Sequence, residues 1–316
     1  MLSRIAESLY WIGRYVERAD DTARILDVHV HRILEDPSVE EEAECRMLLG
    51  VMGLPIPPGE VDAARVVRIL AFDTSDPSAI AGSLMAAREN ARGTREALSS
   101  EMWECLNATY NALPTRVRTA GAGVGAHAFF QFVKERASIM AGLTEATMPR
   151  DDGWRFLVLG RSLERVDMTA RLIFTGFGHP DKAPDWVTTL RSCSAYEAFL
   201  RTYRRGVDSS LAAEFLLLDR LFPRSAFFAL GDAEHCLAEL SAHSVGRVGY
   251  GDEARRILGR ARNELEFTSV SELLSDLPSH LSALQVASAQ AADAVARRFF
   301  RHTGPVEWQR EEVTGT

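Results

Sequence analysis

The sequence predicts an all-α protein, a helical bundle built from two pseudo-symmetric repeats of about 147 residues. Three observations carry this. Ile5, Leu9, Ile12, Val16, Ala19, Ala23, Leu26 and Val30 step alternately by four and three residues, the spacing of one apolar helix face. Alternating apolar–polar runs bounded by hairpin turns, the signature of strands, are nearly absent. Finally, Gly13, Arg14, Glu17, Arg18, Asp20, Thr22, Ala23 and Arg24 recur in order as Gly160, Arg161, Glu164, Arg165, Asp167, Thr169, Ala170 and Arg171, each 147 residues later. Repeats kept only for a core need preserve apolar positions; here the repeated residues are mostly charged.

In chain order, the apolar stripe predicts a long first helix over 2–34, with no proline before Pro37. A second runs from Val39 to about Val51, its start carrying Glu40, Glu41 and Glu42, charges favourable at a helix N-terminus. Gly53 to Gly59 holds three prolines and two glycines and reads as a loop. A short apolar helix over 61–72 is followed by capping residues Asp73 to Asp76 and a helix from about Ser78 to Ser99. Ser100 to Leu113 stays helical until Pro114, the glycine- and alanine-rich passage Ala120–Ala126 interrupts, and a further helix reaches about Thr147. Met148–Asp152 is the central break, where Asp151 or Asp152 caps the second copy of the opening helix. Gly178-His179-Pro180 and Pro184 end that copy, and helices follow near 193–205, 207–221, 224–242, 252–265 and 278–301, Pro278 sitting in a first turn. Weaker echoes, Val61-Asp62 with Val207-Asp208, Asp73 with Asp219 and Pro77 with Pro223, share an offset of 146. The domain reading is therefore residues 1–147 and 148–302 as two helical repeats packed as one domain, with 303–316 a polar tail.

Composition narrows the partners. A net charge of −8 argues against nucleic acid or an anionic membrane, which require a basic face. No apolar run approaches the roughly 18 residues of a membrane span, and Arg4, Glu7 and Arg14 interrupt any signal-peptide core; a soluble cytoplasmic protein is expected. Cys45, Cys105, Cys193 and Cys236 are far apart in sequence, which fits reduced thiols better than disulfides or zinc. His29 and His31, two apart on a helix, point their rings away from each other, so no metal site is expected. Gly121–Gly125 lacks the preceding strand and the Lys-Ser/Thr of a phosphate loop, and no cofactor is expected.

The chemistry lies in the repeated charges. At about 100° per residue, Gly13, Glu17, Asp20 and Arg24 form one line on the shoulder of the apolar seam, and Gly160, Glu164, Asp167 and Arg171 repeat it. Arg14, Arg18, Arg161 and Arg165 lie further round, towards solvent or another partner. Two readings follow. Glu, Asp and Arg can satisfy one another across a pseudo-twofold interface between long helices packed close at glycine. Alternatively Glu17 and Glu164 are acid–base residues in a cleft and the arginines hold a carboxylate or phosphate. A second constellation, Arg88, Glu89, Asn90, Arg92 and Arg95, places three arginines on one helix face, followed by Trp103 and Asn107. The second half lacks it, which suggests a task done once per chain, such as binding a partner or an anionic ligand; the other reading is a solvated helix with pairs within itself.

The opening Met1–Ala19, Ala87-Arg88-Glu89-Asn90-Ala91-Arg92, Leu159-Gly160-Arg161-Ser162-Leu163-Glu164-Arg165 and the short block Pro223-Arg224-Ser225 together resemble the bacterial alpha-E domain family over roughly residues 1–302. Asp21 stands where that family often has asparagine and Ser162 where an aromatic is usual. The resemblance implies a helical protein encoded beside, or fused to, a circularly permuted ATP-grasp ligase, with transglutaminase-like proteases and a proteasome-like peptidase as frequent neighbours. It implies a role in making or processing an amide-linked or peptide product. The expected function is thus a helical accessory subunit of an ATP-grasp carboxylate–amine ligase, which binds the ligase or presents a peptide or amino-acid substrate to it. The alternative is an enzyme of the same pathway that uses Glu17 and Glu164.

Overall fold

A computed structural model describes residues 1–120, 124–175, 184–241, 248 and 252–300. Among them fourteen α-helices and no strand occur, so the chain is all-α as expected. The long opening helix is α1, Ser3–Glu35, which buries Leu9, Ile12, Ala19, Ala23, Leu26 and Val30. Next come α2 (Glu41–Val51), α3 (Ala63–Val67) with a π turn at Arg68–Phe72, α4 (Ile80–Arg92), α5 (Ser100–Thr119) and α6 (Val124–Thr147). The second half holds α7 (Asp152–Thr175), α8 (Trp186–Ser192), α9 (Tyr196–Tyr203), α10 (Ser209–Leu218), α11 (Ala226–Leu240), α12 (Glu253–Phe267), α13 (Val270–Ser275) and α14 (Leu277–Phe299).

Side-chain caps set many of the starts. Asp62, Ser99, Asp185, Asp208 and Ser225 accept from backbone N–H groups of the turns they open, each satisfying a donor the helix cannot. Asp151 accepts from Gly153 and Trp154 at the start of α7, and Ser269 with Glu272 closes a reciprocal capping box.

Three boundaries differ from the sequence reading. The helix expected over 78–99 ends at Arg92, and Arg95–Ala97 is a separate 3₁₀ turn. The arginines at 88, 92 and 95 therefore do not share one continuous helix. Pro114 does not stop α5, which continues to Thr119. The expected helix near 193–205 is α9, which starts only at Tyr196, and a helix that the sequence reading did not place, α8, precedes it, the two joined through Ser194 at φ 51°. The expectations for Gly121–Gly123, Gly178–Pro180 and 303–316 lie outside the described residues.

At the centre α7 packs along α1, the most extensive helix contact among the described residues. Around it the halves interlock. Helix α1 also takes α4, α6 and α8, while α7 takes α11, α14 and α2. One continuous apolar core runs from Ala6 to Phe300. No described helix is long and apolar enough to cross a membrane.

Candidate functional site

The α1–α7 crossing is closed by two glycines. A Cβ on Gly13 would fall 2.0 Å from the Leu157 carbonyl oxygen, and a Cβ on Gly160 would fall 2.0 Å from that of Tyr10. Only glycine tolerates that distance, so the backbones meet directly and the side chains one turn on reach across to the opposite helix.

There two clamps form. Glu164 is buried and accepts from Arg14 Nε at 2.6 Å and from Arg18 Nε and Nη2 at 2.6 and 3.1 Å. Glu17, also buried, accepts from Arg165 Nε and Nη2 at 2.6 and 2.8 Å. Each arginine that follows a motif glutamate thus crosses to the glutamate of the other helix. Both continue outward to a proline carbonyl, Arg18 Nη1 to Pro77 at 3.4 Å and Arg165 Nη1 to Pro223 at 3.1 Å. Those prolines precede α4 and α11, so each clamp ties three helices together.

Lower on the shoulder, Asp20 accepts from Arg24 Nε at 3.1 Å and Asp167 from Arg171 Nε at 2.7 Å. Arg24 also donates to Ser194 Oγ, and Arg171 donates to the Val51 carbonyl at 2.7 Å. The shoulder lines are therefore assembled as the spacing implies, and Arg14, Arg18 and Arg165 meet carboxylates of the opposite helix rather than open water.

Arg224 is the residue that the site analysis of the sequence passed over. It enters from the turn before α11, ion-pairs with Asp20 and Asp21, and lies 3.4 Å from Glu17. Three carboxylates converge on one half-buried guanidinium. The only sequence signal was the short Pro223-Arg224-Ser225 block, and its position near an offset echo of Pro77 did not mark it as a partner of α1.

Electrostatics follow from this placement. Burial alone would raise Glu17, but Arg165 and Arg224 outweigh it and hold the carboxyl down at about 2. Glu164 is also buried, and Arg14 and Arg18 hold it below the usual glutamate range. Asp21 goes the other way. Its burial, with Glu17 and Asp20 close by, pushes it up to about 7 against the pull of Arg224.

The constellation on α4 is a separate structure. Arg88 lies over the rings of Tyr110 and Trp103, 4.6 and 5.5 Å from their centroids, and donates to Asn107 Oδ1 at 3.3 Å. Arg95, from its own turn, covers Trp103 at 4.5 Å. Glu89 bridges Arg88 and the exposed Arg92, and Asn90 donates to the Ala86 carbonyl at 2.9 Å. Arg88 and Arg95 thus staple the end of α4 to α5. His29 is buried against Glu44 at 2.5 Å, while His31 is exposed beside Glu35.

A cleft of about 100 Å³ opens beside one clamp, where Glu17, Asp20, Arg24, Arg161, Arg165 and Arg224 face an apolar wall from α5 and α6 that includes Met102 and Met140.

Comparison with known proteins adds the following. A family model described as "a predicted alpha-helical domain with a conserved ER motif" matches residues 1–300. Glu–Arg dipeptides stand here at 17–18, 135–136 and 164–165; the first and last form the crossed clamps. Uncharacterized proteins of Mycobacterium bovis and Mycobacterium tuberculosis are 26% identical over 324 aligned positions, covering 92% of this chain. The chain spans 36% of the length of these curated relatives. No solved structure matches.

Proposed function

The chain belongs to the Alpha-E family, and on that premise we propose that it is a helical partner subunit of an ATP-grasp carboxylate–amine ligase system. The observation that carries this reading is the closure of the motif. Both glutamates are buried, ionised and engaged by arginines of the opposite helix. A carboxylate held this way is a poor proton acceptor near neutral pH, because the useful range for acid–base work lies near the operating pH. What the motif supplies is a fixed crossing of two long helices, and so a rigid body for another protein to bind. The relatives are consistent with a module of this kind, since the similar region makes up 36% of their chains. The ligase as the partner rests on the family resemblance. We also read the crossed clamps, with their 147-residue offset, as the product of a duplicated helical unit.

Co-purification of the full chain with the neighbouring ligase, and ligase turnover with and without it, tests the proposal. Association that raises or redirects product formation is expected; absence of both association and any change in turnover would overturn it. The second reading, an enzyme acting through Glu17 and Glu164, has in its favour that Glu17 lines the cleft. Under it Glu17→Gln abolishes turnover in a protein that stays folded, whereas the partner reading expects loss of stability.

A further inference from the structure

The two clamps are alike except in one arginine. Arg14 donates through Nε to Glu164 at 2.6 Å. Arg161 stands 147 residues later, yet its Nε is buried and has no hydrogen-bond partner among the described residues. Its Nη2 turns outward to Glu145 at 3.3 Å. The place that Arg161 would take on Glu17 is held by Arg224, 3.4 Å from that carboxylate. A buried guanidinium N–H without an acceptor is costly, and Arg161 is one of the residues that line the cleft beside the Glu17 clamp.

The space itself is also asymmetric. Tyr10 stands 147 residues before Leu157. At the Glu164 clamp Tyr10 is buried, and its hydroxyl accepts from Arg14 Nη1 at 3.3 Å. At the Glu17 clamp Leu157 offers no hydroxyl and lines the cleft of about 100 Å³ together with Arg161. One pseudo-equivalent position is thus filled and satisfied from within the chain, and the other is open with a donor waiting.

We propose that this cleft binds a small ligand through its α-carboxylate, an amino acid or the C-terminal residue of a peptide, with Arg161 as the arginine that receives it. The ligand carboxylate does for Arg161 what Glu164 does for Arg14. Four arginines line the cleft, but Arg24, Arg165 and Arg224 are already paired with Asp20, Glu17 and Asp21, and Arg161 gives its Nη2 to Glu145; the one donor left open is Arg161 Nε, which suits a monoanion rather than a phosphate dianion. The opposite wall, with Met102, Met140 and Val16, takes an aliphatic side chain, and methionine adapts to several shapes.

Isothermal titration of the full chain with L-leucine, the tripeptide Gly-Gly-Leu, L-leucinamide and inorganic phosphate tests the proposal. Leucine or the tripeptide is expected to bind at least about tenfold more tightly than leucinamide or phosphate, a difference of about 1.4 kcal/mol. Preference between the first two identifies a free amino acid or a peptide end as the source. Arg161→Gln is expected to weaken binding at least about tenfold, the least a lost charged hydrogen bond should cost. Leu157→Tyr, which places in the cleft the group that fills the other side, is expected to abolish binding in a protein that melts no lower than the parent. No binding by either carboxylate, equal binding of leucine and leucinamide, or unchanged binding in a folded Arg161→Gln or Leu157→Tyr protein would overturn it. The titration contains no ligase, so its failure leaves the partner reading standing.

Discussion

Replacing Gly13 by alanine puts the helix crossing under direct strain. The added methyl would lie 2.0 Å from the Leu157 carbonyl oxygen and 2.9 Å from the Arg161 nitrogen, against an ordinary carbon contact of about 3.5 Å. Both neighbours are backbone, so no side chain can turn aside and α1 must move off α7 by roughly 1 Å or more. The pairs of Arg165 with Glu17, at 2.6 and 2.8 Å, then stretch towards the limit of hydrogen bonding. Overpacking costs about 1–3 kcal/mol, and a weakened buried pair adds part of the 3–5 kcal/mol of a broken one, so the expected loss is about 3 kcal/mol. In a chain of this size that lowers Tm by roughly 4–5 °C. Gly142→Ala and Gly50→Ala are the controls, because a Cβ at either meets nothing within 4 Å. Both glycines lie in helices, so alanine there should be neutral or stabilising by up to about 1 kcal/mol. The assay is urea unfolding followed by far-UV circular dichroism. A Gly13→Ala protein as stable as the Gly142→Ala control would refute the close-packed crossing.

Other outcomes follow from the charges. Asp21 has a folded value of about 7, above its ordinary 3.8; its contribution to stability is therefore fully present below about pH 4 and lost as pH rises through 7. Asp21→Asn should flatten the fall in Tm between about pH 4 and 7, and an unchanged pH profile would contradict the assignment. Glu17 has the opposite sign. Its stabilisation is present above its ordinary 4.5 and lost as pH falls towards 2, a shift equivalent to about 3 kcal/mol. Glu17→Gln and Glu164→Gln each leave buried arginines uncompensated and should lose about 3–5 kcal/mol in denaturant unfolding. Losses below about 1 kcal/mol would mean that the pairs contribute as little as exposed ones do. Arg88→Ala removes the guanidinium between Tyr110 and Trp103 and should cost about 1–2 kcal/mol through lost stacking; an unchanged melting temperature would contradict the staple.

The helices and the shoulder were legible because they depend on spacing within one segment. An apolar step of four and three fixes a helix face, and the same step places Glu17, Asp20 and Arg24 on one line. Their partners were not legible, because pairing across helices depends on the crossing. Nothing in the local sequence says that Arg18 turns to Glu164 rather than to water, although the two glycines mark where the helices approach. Arg224 was hidden for the same reason, since it reaches α1 from a turn about 200 residues away. Pro114 misled because a proline inside a helix loses one hydrogen bond, whereas α5 is held on both sides by α4 and α6. The early end of α4 has a local cause that was visible. Gly93 follows Arg92, and its N–H and the Thr94 hydroxyl both donate to the Asn90 carbonyl, which closes the last turn.

Double-mutant cycles at the clamps test the central claim, that each motif arginine serves the glutamate of the other helix. Stability is measured for Glu17→Gln with Arg165→Met, Glu164→Gln with Arg18→Met, and the adjacent pairs 17 with 18 and 164 with 165. The account predicts coupling of about 1–3 kcal/mol across the helices and no more than about 0.5 kcal/mol within each dipeptide. Coupling confined to the adjacent pairs, with none between 17 and 165 or 18 and 164, would contradict it.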